Sequence, residues 1–514
     1  MRTGNDFSTA TEAPRTDRRR LLVACSVVGV VGVLFSALGS WRPSFWYDEA
    51  ATVSAVDRSY AQLFSLVHHT DGVHALYYLL LKPWTALFGL SEFSVRFPSA
   101  IAVGAAAAAL VVLANRLWDL PFGVMAGLVL LTVPRVMWAG NEARSYAGTL
   151  FLAVVLTWLL VAAADRGRWW WLGYGVVAIV AVVWFFLAVT LLAAHAAYLV
   201  LRQRSAFRGF GVTVIAVMIL VSPFAWWVHG QRAQISWIPE MSLQRVVTYA
   251  LWEFFVGSWP YLIVAGVVVA VALVAAVLTW SVERAGLFVL AWCWLLIPAA
   301  VVFVISWTGT QLYAPRYLVF TVPALALLLA WSARTVAREN RWITVVVLVA
   351  LAAAATPEYL AQRGPYGRMG GTDFSAVGDY IGAHAAPGDC VAFDGAPSWS
   401  PESQRVVLQT KPGDFAVLRD IGPKIDAAQS GRLWDVPTPV SAYRVFAQGC
   451  AVMWVVTDGE RSRASVLYPG GMSDWFFQPF HFTNSELYRE ISAAGLHITG
   501  RTQFNHSQVV RMQR

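Results

Sequence analysis

From residue 21 to residue 356, apolar runs alternate with short polar turns. A helical crossing of a bilayer needs about 20 apolar residues, so this rhythm predicts about eleven spanning helices. They fall at 21–40, 97–115, 122–139, 147–164, 169–184, 186–201, 209–228, 260–280, 286–306, 317–333 and 342–356. Two apolar stretches are too short to cross. His74 to Phe88 is interrupted by Lys82-Pro83, and Val246 to Gly257 is shorter still. Both read as helices lying on the outer leaflet.

Beyond about residue 360 the pattern changes. Phe374, Val377 and Ile381 share one face of a helix with Asp373 at its cap and Pro387-Gly388 after its end. Cys390-Val-Ala-Phe and Cys450-Ala-Val-Met-Trp-Val-Val read as buried strands. Thr483-Asn-Ser-Glu486 has the form of a capping box, and the chain from His497 alternates as a terminal hairpin. The organisation is therefore a tail at 1–20, a membrane domain at 21–358 and a small α/β domain at 359–514. Neither G-x-G-x-x-G nor a P-loop occurs, so no nucleotide site is expected.

Charge orients this arrangement. The polar tail ends in Arg18-Arg19-Arg20 and reads as disordered and cytoplasmic, although a signal peptide cleaved near Ala37-Leu38-Gly39 remains an alternative. With the N-terminus inside, the inner turns hold Arg116, Arg166, Arg168, Arg202 to Arg208, Arg284, and Arg334 to Arg341, as the positive-inside rule requires. The first outer loop is then 41–96, and the α/β domain is extracytoplasmic. The 58% hydrophobic content and mean hydropathy of +0.56 exclude an ordinary soluble protein. The net charge of +8 comes from these inner turns, not from a groove, which removes nucleic acid as a partner. Lys occurs only at 82, 411 and 424, a usage that fits a GC-rich genome. Of four cysteines, Cys25 and Cys293 lie in apolar runs, while Cys390 and Cys450 each open a strand. A Cys390–Cys450 disulfide is a candidate in an oxidising compartment. Metal-ligand spacing is lacking, so zinc is not called for.

The outer side collects the polar chemistry. Asp48 and Glu49 are adjacent just past the first span, where acids beside lipid are costly. Crowded carboxylates in low dielectric suit general base work. Arg144 and Arg316 are candidate phosphate ligands, because a planar guanidinium matches phosphate and stays charged. An outward-facing transferase has no nucleotide donor and must take one that arrives through lipid. Each residue also has a structural reading. The acid pair can be solvated surface, Glu142 and Arg144 an ion pair between helix ends, Arg316 a snorkelling side chain, and His74 part of an aromatic belt. His195, on an apolar helix, reads as a core histidine. Trp184, Trp237 and Trp259 lie far enough outward to serve as stacking platforms.

Five motifs in order strengthen the chemical reading: Trp46-Tyr-Asp48-Glu49-Ala-Ala51, Asp71-Gly-Val-His74-Ala-Leu-Tyr-Tyr78, Ser91-Glu-Phe-Ser-Val-Arg96-Phe-Pro98, Glu142-Ala-Arg144-Ser-Tyr146 and Pro315-Arg316-Tyr317-Leu318. Together they resemble the GT-C superfamily of membrane glycosyltransferases, in the branch similar to protein O-mannosyltransferases and the lipid A aminoarabinose transferase, especially its actinobacterial members. The resemblance spans roughly residues 20–335. It implies an inverting transfer of a sugar, mannose before an arabinose-type sugar, from a polyprenyl-phosphate donor to a hydroxyl of an envelope lipid, glycan or protein. The setting it implies is the outer face of a bacterial plasma membrane. Asp48 is then the general base and Glu49 its helper. Arg316, Tyr317 and Arg144 take the donor phosphate, and Asp71, His74, Tyr78, Glu142 and Tyr146 take sugar or acceptor. No cofactor or divalent metal is required if arginine carries the phosphate charge. The chain departs from the wider family in reading Val-His-Ala-Leu-Tyr-Tyr where a double proline is usual. A lipid-linked glycan flippase is the rival class, but it would place acids in broken helices near the midplane. A sensor or assembly protein working through its outer domain is a third.

Overall fold

The computed structural model describes residues 17–279, 285–337, 340–395, 399, 404–467 and 475–514. Most of the tail at 1–20 and Arg284 lie outside the described residues. The membrane part consists of α1 (Arg18–Ala37), α2 (Tyr47–Asp57), α3 (Tyr60–His69), α4 (Ala75–Phe88), α5 (Glu92–Leu117), α6 (Leu120–Thr132), α7 (Pro134–Gly140), α8 (Tyr146–Arg166), α9 (Arg168–Trp184), α10 (Thr190–Arg202), α11 (Phe207–His229), α12 (Leu243–Phe255), α13 (Trp259–Thr279), α14 (Ala285–Trp307), α15 (Val322–Ala337) and α16 (Arg341–Ala361).

Among the described residues, seven helices are long and apolar enough to cross a membrane, or nine if each of two bent pairs counts as one span. The shorter apolar helices α9 and α10 occupy the two remaining predicted positions. The sequence pattern gives 122–139 as one spanning helix, whereas α6 and α7 meet at 73°. Pro134 explains the break, because it pushes Val133 out of helical geometry, to ψ 122°. The two predicted surface helices form as α4 and α12. Neither has the length to span alone, and α12 meets α13 at 92°.

The arginine-bearing turns at one end of the bundle converge. Arg116 pairs with Asp165 at 2.6 Å, Gln203 donates to Asp165 at 3.0 Å, and Arg334 pairs with Asp119 at 3.1 Å. The polar residues of the other face lie at the opposite ends of these helices. Tight packing carries the bundle: Gly104 on α5 faces the Gly29 carbonyl of α1, where an added Cβ would come within 2.5 Å.

The C-terminal part opens with α17 (Phe374–His384) and contains strands β1 (Cys390–Phe393), β2 (Arg419–Asp420), β3 (Pro423–Ile425), β4 (Val436–Pro437), β5 (Val452–Asp458), β6 (Ser465–Leu467), β7 (Trp475–Phe477), β8 (His497–Gln503) and β9 (Ser507–Gln513). Its main sheet has the order β2-β1-β5-β9-β8. β1 is parallel to β2 and β5, and the terminal hairpin β8–β9 adds antiparallel. Cys390 and Cys450 are disulfide-bonded, with their Cα atoms 5.9 Å apart. Two local expectations change. Asp373 makes no side-chain cap; it accepts from the backbone N–H groups of His506 and Ser507, both at 2.8 Å, tying α17 to β9. The helix after Thr483 is capped by Ser485, which accepts from the Tyr488 N–H at 3.1 Å.

The two parts share a core. Ala50 of α2 is buried among Phe374, Val377, Trp399, Val407 and Trp454 of the C-terminal domain, with Tyr47 packed beside them. Trp434 donates to the Tyr47 hydroxyl at 2.6 Å, and Lys411 bridges Glu92 of α5 at 2.9 Å. The helix that begins with the acid pair is thus clamped between bundle and sheet.

Candidate active site

Asp48 and Glu49 occupy the first turn of α2, where free backbone N–H groups favour negative charge. Adjacent helical residues point in different directions, and here this gives the two acids different partners. Glu49 is fully buried. Arg96 of α5 grips it with Nε at 2.7 Å and Nη2 at 2.6 Å, and the Ala143 N–H donates to its Oε1 at 2.9 Å. Burial opposes the charge on Glu49, but the Arg96 guanidinium and these hydrogen bonds outweigh it and hold the carboxyl below its usual range. Arg96 itself is saturated by the Ser40 and Pro43 carbonyls at 2.7 Å and that of Ser44 at 3.2 Å. A bidentate buried pair of this kind fixes position, because breaking it strands a charge.

Asp48 faces the opposite way and keeps some exposure, 14% of its side chain. Its Oδ2 lies 3.3 Å from Arg316 Nη2 and 3.8 Å from Arg144 Nη2. Arg316 enters on the 3-10 turn Pro315–Thr321, which precedes α15. Its Nε donates to the Tyr146 hydroxyl at 3.2 Å, and aromatic faces surround the guanidinium, with ring centroids of Trp237, Trp46 and Tyr317 at 5.0, 5.4 and 5.5 Å. This arginine is buried, which removes the snorkelling alternative.

Arg144 is held from the other side. It donates to the Tyr78 hydroxyl at 2.9 Å, and Tyr78 in turn donates to Asp71 Oδ2 at 2.7 Å. Asp71 adopts a left-handed backbone at φ 58°, a conformation that a short acid tolerates better than most residues. His74, buried behind Tyr78, meets the Ser145 hydroxyl at 3.4 Å. Burial and the charges of Arg144 and Arg316 hold its imidazole well below the usual range, so it is neutral. Glu142 is fully buried and accepts from Trp138 Nε1 at 2.9 Å. Burial pushes its carboxyl up to about 7, against a lowering by Arg368.

Asp48, Glu49, Asp71, His74, Tyr78, Glu142, Arg144, Tyr146, Arg316 and Tyr317 therefore belong to one connected neighbourhood. The Glu142–Arg144 ion pair does not form; Arg144 turns to Asp48 and Tyr78. Of the tryptophans, Trp237 stacks on Arg316, Trp184 donates to the Ser145 carbonyl at 2.8 Å, and Trp259 is exposed. His195 sits between the hydroxyls of Thr157 at 3.1 Å and Tyr174 at 2.8 Å, a satisfied core histidine. Arg96 carries a signal in its Ser-Val-Arg-Phe-Pro motif but acquires its partner only in the fold. Arg368, 4.0 Å from Glu49, has no sequence signal, since it lies in a polar segment resembling a linker. Among the described residues, no cluster of three or more His, Cys, Asp or Glu side chains is placed to hold a metal ion.

A bent-helix bundle, a carboxylate opposed by two arginines and a sheet domain over the same helix make up a polytopic membrane protein, and its likeness to a solved structure gives it the GT-C fold. Residues 74–227 match the sequence model of the family described as dolichyl-phosphate-mannose-protein mannosyltransferase. The structure is similar to ArnT from Cupriavidus metallidurans bound to undecaprenyl phosphate, with a TM-score of 0.55 and 13% identity over 96% of this chain and 98% of that one. The apo state of ArnT gives the same values. The oligosaccharyltransferase of Archaeoglobus fulgidus lies further off, with a TM-score of 0.45 and 11% identity over 94% of this chain and 79% of that one. No curated protein sequence matches the chain.

Proposed function

We propose that the protein is an inverting glycosyltransferase of the bacterial plasma membrane. It moves a sugar from a polyprenyl-phosphate donor to a hydroxyl of an envelope lipid, glycan or protein at the outer face. The observation that carries the reading is the contact of Asp48 with Arg316, a carboxylate from the first outer loop and a guanidinium from a late turn. In the free protein the two neutralise each other. A donor phosphate competes for Arg316 and Arg144 and frees Asp48 to accept a proton. The acceptor oxygen then bonds to the anomeric carbon as the bond from that carbon to phosphate oxygen breaks. The acceptor proton passes to Asp48, and the polyprenyl phosphate leaves with its charge held by arginine. Glu49, with both oxygens committed to Arg96 and Ala143, orients the turn. Asp71, His74, Tyr78, Glu142 and Tyr146 shape the sugar and acceptor side, with Tyr317 beside the phosphate. The chemistry calls for no metal, since the arginines supply the counter-charge.

Mannose is the proposed sugar because the matched family is described by it. An arabinose-type sugar is the alternative on the same fold. The N-terminus is assigned to the cytoplasm and the α/β domain to the outside, since the arginine-rich turns gather at the end of the bundle opposite Asp48. The test is incubation of purified protein with labelled polyprenyl-phosphate mannose or aminoarabinose and envelope lipid extract. Transfer of label that depends on Asp48 supports the reading. Transfer from neither donor at any acceptor concentration, or label moving equally well without Asp48, overturns it.

A further inference from the structure

Arg368 lies in the turn that leaves α16 for the C-terminal domain. That turn is fastened on both sides. Arg363 donates to the carbonyls of Leu38 at 2.8 Å and Phe35 at 3.1 Å, and Asn141 donates to the Gln362 carbonyl at 3.2 Å. Gly367 leaves no room for a Cβ, which would fall 2.3 Å from the Ala361 carbonyl oxygen. The side chain that follows this packed glycine turns inward. Arg368 ends 1% exposed, with its guanidinium 4.3 Å from the Trp138 ring centroid.

None of its three guanidinium nitrogens has a hydrogen-bond acceptor among the described residues. A buried cation without hydrogen bonds is retained only against nearby negative charge. Two acids supply it. Glu49 Oε1 is 4.0 Å away, and Glu142, whose Oε1 is also without a partner, hangs from the Nε1 of the same Trp138. Glu142 is faced by Asp48 and Glu49 from α2, Arg135 from α7, Tyr77 from α4, Arg316 from the 3-10 turn, and Arg368. The other cations are engaged: Arg96 by Glu49 and three carbonyls, Arg144 and Arg316 by Asp48, and Arg135 by the carbonyls of Trp252 and Glu253.

We infer that Arg368 is a positioning residue of the outer site: its guanidinium is the counter-charge of Glu142 and the second counter-charge of Glu49, and it thereby ties the root of the C-terminal domain to the helix turn that presents Asp48. This rests on the reading of Asp48 as the base. Glu142 then titrates under the control of a residue that belongs to neither the first outer loop nor the bundle.

The test is an infrared pH titration of the full-length protein in detergent from pH 5 to pH 9, following the carbonyl band of neutral carboxylic acid. Burial raises Glu253 to about 7 as well, so the part of the band that E142Q removes is the part assigned to Glu142. In R368Q the assigned band should persist at least one pH unit higher than in the native protein, and R368K should restore most of the native midpoint. Deleting a cation only for packing reasons would not move this midpoint. An R368Q midpoint for the assigned part equal to the native one, or an E142Q band identical to the native band, overturns the inference. Should R368Q fail to fold, the double variant R368Q/E142Q, with both charges removed, should be recovered at near-native yield; its failure as well counts against the pairing. Transfer is read separately: R368Q should lower kcat at pH 7 about tenfold or more, with the KM for the polyprenyl-phosphate sugar within about threefold of native. A moved midpoint with native kcat overturns the positioning role. Absence of transfer by the native protein overturns the transferase reading and leaves the titration to decide the charge pairing.

Discussion

Arg316 Nη2 stands 3.3 Å from Asp48 Oδ2, although 268 positions separate the two residues. The contact makes each residue the other's resting partner. Replacing Asp48 with Asn keeps size and removes the proton acceptor. Transfer should fall by about 10²–10⁴-fold, the usual contribution of a general base. Donor binding should survive, because Arg316 loses its competitor. Titrating the variant with undecaprenyl phosphate, followed by tryptophan fluorescence, should therefore give a dissociation constant no weaker than native.

Arg316→Lys exchanges a planar fork for a point charge. The native guanidinium reaches Tyr146 through Nε and Asp48 through Nη2, a geometry that one ammonium cannot reproduce. Its stacking on Trp46, Trp237 and Tyr317 also weakens. The expected outcome is a donor KM raised about tenfold or more, with folding retained. An unchanged donor KM in steady-state assays would remove this arginine from the phosphate site.

Glu49 behaves differently from its neighbour. Arg96→Ala leaves a fully buried carboxylate without its bidentate partner, a change that typically costs about 3–5 kcal/mol. Thermal unfolding in detergent should show a large loss for R96A and little for D48N. Equal losses would mean that the two acids do not divide the structural and chemical work as their partners suggest.

How much of this was legible beforehand follows from what kind of signal each residue carries. Apolar run length alone located the helices, because lipid leaves backbone groups no other partner. The acid pair and the two site arginines stood out because charge beside lipid is costly. The division between Asp48 and Glu49 did not, since adjacency in sequence hides opposite directions on a helix. The bend at Pro134 has a local cause in the residue before proline, but an apolar run that continues through 122–139 hid it. Arg368 had none: a polar turn rich in glycine looks like any linker until the fold packs Gly367 against Ala361 and buries the arginine after it.

Cys390 and Cys450 close a loop of 60 residues in the C-terminal domain. In the chain-entropy account a loop of this size contributes about 4 kcal/mol. C390S should therefore lower the stability of this domain by about 2–4 kcal/mol while leaving the bundle helical. The bond also reports location, because it persists in an oxidising compartment and not in the cytoplasm. In intact cells a thiol-specific mass tag should reach both cysteines only after reduction. Tagging without reduction would put the domain on the wrong side of the membrane.

Glu142 makes stability depend on pH with a defined sign. Burial raises its carboxyl from an ordinary value near 4.5 to about 7 in the folded protein. The folded chain therefore binds this proton more tightly than the unfolded one, and stability from this group is complete below about pH 4.5 and lost as pH rises through about 7. A gap of this size corresponds to about 3 kcal/mol. The native protein should melt at a lower temperature at pH 8 than at pH 5.5, after allowance for groups that titrate elsewhere. E142Q, which cannot ionise, should weaken that dependence, leaving the share of Glu253, which burial also raises to about 7. The same variant keeps an amide oxygen for Trp138 Nε1, so lost packing does not account for the difference. Parallel melting curves for E142Q and native protein across this range would mean that Glu142 is ionised throughout, its charge already balanced by Arg368 at the acid end.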